Sequence, residues 1–265
     1  MAADGSSAMQ ALGRQRAPLG VLRAVGPLIG VAWLVALLLQ LSGNAAALHH
    51  HALIDGVGGR AAPPPWLGIP AFLVAWQLMI AAMMLPASVR AIDGVAARLG
   101  VQPAAAIAGF LVAYFLAWTG FGLAAFAGDI GLHGLVHASP WLAAHPWLIP
   151  TGSLALAGGY QLLPVRRRAL EACRHPRAAE VRRVAAARAG FKVGLAHATD
   201  CLVCSWALML LLFAAGVDNL AWMAGLAGVM AYEALGRHGT KLGIVFGVAL
   251  LALAGLTAIG AVTTL

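Results

Sequence analysis

Charge is scarce in this chain. Of 265 residues, 10% are Asp, Glu, Lys or Arg, and only 9 are acidic, against about 25% charged in a soluble domain. An ordinary water-soluble globule is excluded. Cysteine is scarcer still: three residues in all, too few for a disulfide framework. The short motifs of soluble enzymes are missing altogether. No Walker loop, dinucleotide glycine pattern, HExxH helix or GxSxG elbow occurs, so the sequence favours a binding function over an enzymatic one.

What is present is 62% hydrophobic residue and 32 glycines. Small residues suit close helix–helix approach in lipid. The expected fold is all-α, a polytopic transmembrane helix bundle of about seven spans. Segments near Val25–Leu41, Leu67–Val89, Ala104–Ala127, Pro146–Leu163, Gly194–Ala215, Leu220–Leu235 and Gly243–Val262 approach the roughly 17–25 residues that cross a bilayer. The sixth is the shortest. Residues 1–22 read as a mobile basic tail, and 23–265 as a single transmembrane domain with a basic loop over 164–193. The first span reads as a retained anchor, with a cleavage site at Leu41-Ser-Gly-Asn-Ala-Ala-Ala as the alternative.

Basic residues fall in alternate loops. Arg14, Arg16 and Arg23 precede span one, and Arg90 and Arg98 follow span two. The loop after span four runs from Arg166 to Lys192, and Arg237 and Lys241 lie between spans six and seven; Arg60 is the exception. Positive loops stay inside, so the N-terminus is expected in the cytoplasm of a bacterial inner membrane and the C-terminus outside. The same clustering removes nucleic acid as a partner, despite a net charge of +8. The basic loop has helical character and is expected to rest on anionic headgroups. Leu132–Trp147, broken by Pro140 and Pro146, is expected as a short helix on the outer surface.

Span five carries the chemistry. His197, Asp200, Cys201 and Cys204 share one helical face. Ionisable residues inside a membrane are functional candidates by default. Thiolates take soft metals, Cu(I) before Zn(II) here, and imidazole is compatible with both. The bland alternative is two buried thiols acting as small hydrophobes, with Asp200 paired to His197. Met79 and Met83 share a face of span two and offer thioethers, or simply fill gaps in the core. Glu233, near the cytoplasmic end of span six, is a candidate ligand or proton carrier; an Arg237 pair at i, i+4 is the structural alternative.

Cys173, in Glu171-Ala-Cys173-Arg-His175-Pro, reads as a surface cysteine of the basic loop. A handover point for a metal-carrying partner is its alternative. The outer histidines, His49 to His51 and the i, i+4 pair His133 and His137 with Asp129 nearby, read as solvating side chains. A loose collection site is the other reading.

Three stretches together resemble a bacterial family described as predicted metal-binding integral membrane proteins, a domain of unknown function. They are Trp76-x-x-Met79-x-x-Ala-Met83-Met84-x-Pro86; Tyr160-Gln-Leu-x-Pro164 followed by Cys173-Arg174-x-Pro176; and Cys201-x-x-Cys204-x-Trp206-Ala-Leu-Met209, continuing through Gly216, Asn219, Trp222-Met223 and Glu233. The likeness covers spans two to six. Two departures stand out: Ser205 follows Cys204 where the family is richer in cysteine, and Ala234 follows Glu233 where the family often has lysine. The resemblance implies a metal-binding membrane protein. Transport or delivery of a soft metal is then the leading expectation. A membrane thiol–disulfide oxidoreductase using Cys201 and Cys204, and a non-catalytic subunit or scaffold, remain the alternatives.

Overall fold

A computed structural model of the chain describes residues 18–42, 64–98, 102–175, 185–215 and 219–263. Among them every regular element is a helix: α1 (Pro18–Leu41), α2 (Pro65–Arg98), α3 (Pro103–Ala138), α4 (Pro140–Ala143), α5 (Leu148–Leu162), α6 (Pro164–Arg174), α7 (Ala186–Ala215), α8 (Leu220–Leu235) and α9 (Gly239–Thr263). Five of these, α1, α2, α3, α7 and α9, are long and apolar enough to cross a membrane. The α5 and α8 helices coincide with expected spans four and six. Their 15 and 16 residues rise only about 22–24 Å at 1.5 Å each, short of a roughly 30 Å hydrocarbon core.

The long helices overrun the expected spans. Helix α2 continues to Arg98 and α3 to Ala138, because hydrophobicity marks where a chain can sit in lipid and not where its helix stops. Proline sets several starts: Pro103, Pro140 and Pro164 each begin a helix, where the missing N–H costs nothing. Leu132–Trp147 is therefore not one surface helix. Its first part extends α3, and Pro140 starts the four-residue α4. Asn219 caps α8, its side chain accepting from the Trp222 N–H at 3.1 Å.

Helices α3 and α7 pack at backbone distance. A Cβ on Gly109 of α3 would meet the Ala187 carbonyl; Cβ atoms on Gly190 and Gly194 of α7 would meet the backbone of Ala106 and Phe110. Gly190-x-x-x-Gly194 is a small-residue stripe used for close approach. Helices α5 and α9 form a second close pair, with Gly158 facing Gly247 and Leu251. Helix α1 leans on α2. Pro86 within α2 cannot donate to the Ala82 carbonyl, and Trp33 Nε1 donates to that carbonyl at 3.0 Å instead.

Apolar side chains on α1 and α9 point outward: Leu34, Leu38, Val245, Leu256 and Ile259 are all more than half exposed. The packed core lies between α2, α3, α7 and α8 and includes Trp76, Ile80, Phe110, Trp118, Leu208 and Met230. His49 to His51, Arg60, most of the N-terminal tail and the expected Gly216 turn fall outside the described residues.

Candidate metal centre

All three cysteines of the sequence meet. The Sγ atoms of Cys173, Cys201 and Cys204 lie within 4.8 Å of one another, and all three residues are buried. Each is a free thiol. Helix α7 supplies Cys201 and Cys204 one turn apart on its inner face. Helix α6 supplies the third sulfur.

Cys173 corrects the sequence reading. The basic loop is not simply a surface strip, because α6 turns Arg166, Ala169, Leu170 and Cys173 inward. Those positions are i, i+3, i+4 and i+7, one helical stripe. The stripe was present in the sequence but concealed by its first member, an arginine. Arg168 and Glu171 stay on the exposed face. On α6, outside the long apolar helices, the Cys173 thiol is pushed well above the usual thiol range, first by hydrogen bonding with the Cys201 and Cys204 sulfurs and then by burial. Cys173 therefore holds its proton at neutral pH.

His197 stands at the edge of the cluster. Its Nε2 is 3.8 Å from Cys173 Sγ and 3.1 Å from Ser88 Oγ of α2. The Ser88 hydroxyl donates to the Met84 carbonyl at 3.1 Å, which leaves its oxygen to accept from an Nε2 proton. Tyr114 of α3 packs against the His197 ring, and its hydroxyl lies 3.2 Å from Cys201 Sγ. Ser88 and Tyr114 were not singled out in the sequence; neither carries a spacing signal that would have found it. Outer groups of this kind orient ligands and tune their basicity.

The remaining expected site residues are Met79, Met83, Asp200 and Glu233. Met79 and Met83 are buried in α2. Their neighbour Met84 brings its sulfur to 4.0 Å from Ser205 Oγ of α7. Asp200 is half-buried on α7. Among the described residues the group of His, Cys, Asp and Glu side chains placed to share one ion consists of the three cysteines.

Glu233 has a different partner from the one expected. Its carboxylate pairs with Arg166 of α6, both residues being almost fully buried, in place of the expected Arg237. A salt bridge 67 residues apart in sequence leaves no local signature. Arg166 also donates from Nε to the Cys204 carbonyl at 3.1 Å, tying the ion pair to the cysteine helix. Arg174 donates to the Glu233 and Gly236 carbonyls at 2.5 and 2.6 Å. Helix α6 is thereby clamped to α8 at both ends. Tyr160 at the end of α5 donates to the Val203 carbonyl at 2.6 Å and holds α7 from another side. Gly243 of α9 leaves the room this needs: a Cβ there would stand 2.6 Å from Arg166 Nη1.

Three convergent sulfurs in one buried cluster fit a soft metal ion. Thiolates select Cu(I) and Zn, and neither hard Mg nor Ca prefers them. The comparisons agree with that chemistry. A family model described as a copper chaperone, PpoB2, matches residues 73–257. No curated protein and no solved structure matches the chain. The matched stretch spans more than half of the chain and contains the three cysteines, His197, Arg166 and Glu233; the chain belongs to the PpoB2 copper-chaperone family.

Proposed function

We propose that this chain is a multi-pass membrane protein that binds Cu(I) at Cys173, Cys201 and Cys204 and delivers it to a partner protein. One observation carries the reading: a chain with only three cysteines gathers all of them, from two helices, into one buried cluster. Chance burial of small hydrophobes gives no reason for three sulfurs from separate elements to converge.

In this reading the cysteines are the ligands, and His197 beside Cys173 is a fourth donor or a proton acceptor. Asp200 sets the local charge. Met79 and Met83 are reserve thioethers on the α2 side. Glu233 fixes Arg166, and through it α6. Copper here is cargo. The bound ion would make a thiolate of Cys173, which otherwise holds its proton, so loading would release that proton.

The test compares metal content in full-length wild type and a Cys201→Ser/Cys204→Ser variant, both loaded anaerobically with Cu(I) and separately with Zn(II). Stoichiometric Cu(I) in the wild type, lost from a folded variant, is expected by mass spectrometry. Equal metal in both would overturn the cysteine site. A trapped mixed disulfide with a second protein would favour the oxidoreductase, and no metal in either a scaffold.

The membrane arrangement is part of the proposal. The outward apolar faces of α1 and α9 suit lipid contact. With α5 and α8 accommodated as short spans by local bilayer thinning, seven crossings put the N-terminus in the bacterial cytoplasm and the C-terminus outside. A C-terminal reporter that is active only after export is expected to be active. Activity of a cytoplasm-only reporter at that end would remove the seven-span topology.

A further inference from the structure

The buried ion pair between α6 and α8 leaves polar atoms over. Arg166 commits Nη2 to Glu233 Oε2 and Nε to the Cys204 carbonyl. Its Nη1, and Glu233 Oε1, have no protein partner among the described residues. The same is true of both amide atoms of Gln161, near the end of α5. Arg166, Glu233 and Gln161 are 1%, 2% and 2% exposed.

These atoms are gathered at one place. Helix α9 passes them with Gly243 and Gly247, one turn apart. A Cβ on Gly243 would stand 2.6 Å from Arg166 Nη1 and 2.8 Å from Glu233 Oε1; one on Gly247 would stand 2.7 Å from Gln161 Cβ. Positions i and i+4 lie on one helical face, so the amide and the ion pair meet the same strip of α9. Gln161 is also near enough to the Glu233 carboxylate to act on it. Four helices thus close on a small polar centre whose α9 wall is glycine. An oxygen atom just beyond Gly243 would reach Nη1 and Oε1 together at hydrogen-bond distance.

A buried donor or acceptor without a partner bears its full desolvation cost. In folded proteins such groups are nearly always bonded to protein or to ordered water. The inventory here selects the ligand. Arg166 Nη1 and Gln161 Nε2 donate; Glu233 Oε1 and Gln161 Oε1 accept. Exchanging the amide oxygen and nitrogen leaves that count unchanged. The formal charges of Arg166 and Glu233 cancel, so a cation would face the guanidinium and an anion the carboxylate. What fits is a small neutral molecule that both accepts and donates. Water does both, and an internal water typically has about three such partners.

We propose that Gln161, Arg166 and Glu233 enclose a binding site for one water molecule, seated against Gly243. The water ties the α5 amide to the arm of Arg166 that neither Glu233 nor Cys204 uses. Helix α6 is then held to α5 through solvent as well as to α7 and α8 directly. The site stands whether or not the cysteines bind copper.

The test is a crystal structure of the full-length protein at a resolution that shows ordered water. Infrared spectra of variants in heavy water, with normal and with heavy oxygen, accompany it. A water peak within hydrogen-bond distance of Arg166 Nη1 and Glu233 Oε1 is expected. In the spectra, an O–D band of strongly bound water should shift with the heavier oxygen. Gln161→Leu removes the amide partners and Gly243→Ala fills the seat, so each should lose that band. Cys201→Ser/Cys204→Ser should keep it, which separates this site from the copper reading. Direct pairing of the Gln161 amide with the ion pair, density of an ion in place of water, or a band that survives both variants overturns the site. If neither variant folds, the wild-type density decides.

Discussion

Cys173→Ser is expected to reduce Cu(I) affinity as severely as Cys201→Ser does, by more than a hundredfold, although it lies on a different helix and in the most basic part of the chain. Removing a group that merely orients a metal ligand typically costs about 10–100-fold. Removing one of three sulfurs must cost more, because the two left behind on α7 have no other buried thiol beside them among the described residues. Serine keeps the size of the side chain, so the packing of α6 through Ala169 and Leu170 should survive. Competition with a chromogenic Cu(I) chelator reads the affinity directly. Wild-type affinity in Cys173→Ser, alongside loss in Cys201→Ser, would detach α6 from the site and leave a two-cysteine centre.

Arg166→Ala should be the most damaging single change to stability. It leaves the Glu233 carboxylate, 2% exposed, without its counter-charge. Breaking one side of a buried pair costs about 3–5 kcal/mol. The loss also frees the Cys204 carbonyl from its Nε donor, so copper affinity should fall with stability. The double change Arg166→Met/Glu233→Leu removes both charges and retains the bulk. It should recover most of the thermal midpoint in detergent, since replacing a whole buried pair by apolar groups is often neutral. A single variant as stable as wild type would show that the pair is not structurally important.

The two buried features differ in how far the sequence revealed them. Cys201, Cys204 and His197 were legible because their i, i+4 and i+7 relation is a property of one helix. Cys173 was not. Its approach depends on α6 folding back across α7, and net positive charge in that stretch argued for solvent. The inward stripe began with Arg166, a residue whose burial makes sense only once Glu233 is in place. Glu233 in turn invited its nearest basic neighbour, Arg237, since local sequence offers only local partners. The helical class was legible from composition alone. Span counting was less so: α5 and α8 are apolar but short, and a hydropathy window cannot separate a thin crossing from a buried helix.

The placement of α6 has a consequence for timing. With two sulfurs on α7 and one on α6, a bound ion would be closed in by a helix that lies across it. Leaving would require α6 to lift, and lifting would break the Arg166 contacts to Glu233 and Cys204 and the Arg174 contacts to the end of α8. Local openings of this sort are governed by the free energy of the segment concerned. The residence time of the ion would then depend on the α6 clamp as well as on the strength of its sulfur bonds. A partner that competes for the part-buried Arg174 would shorten that time without touching the metal.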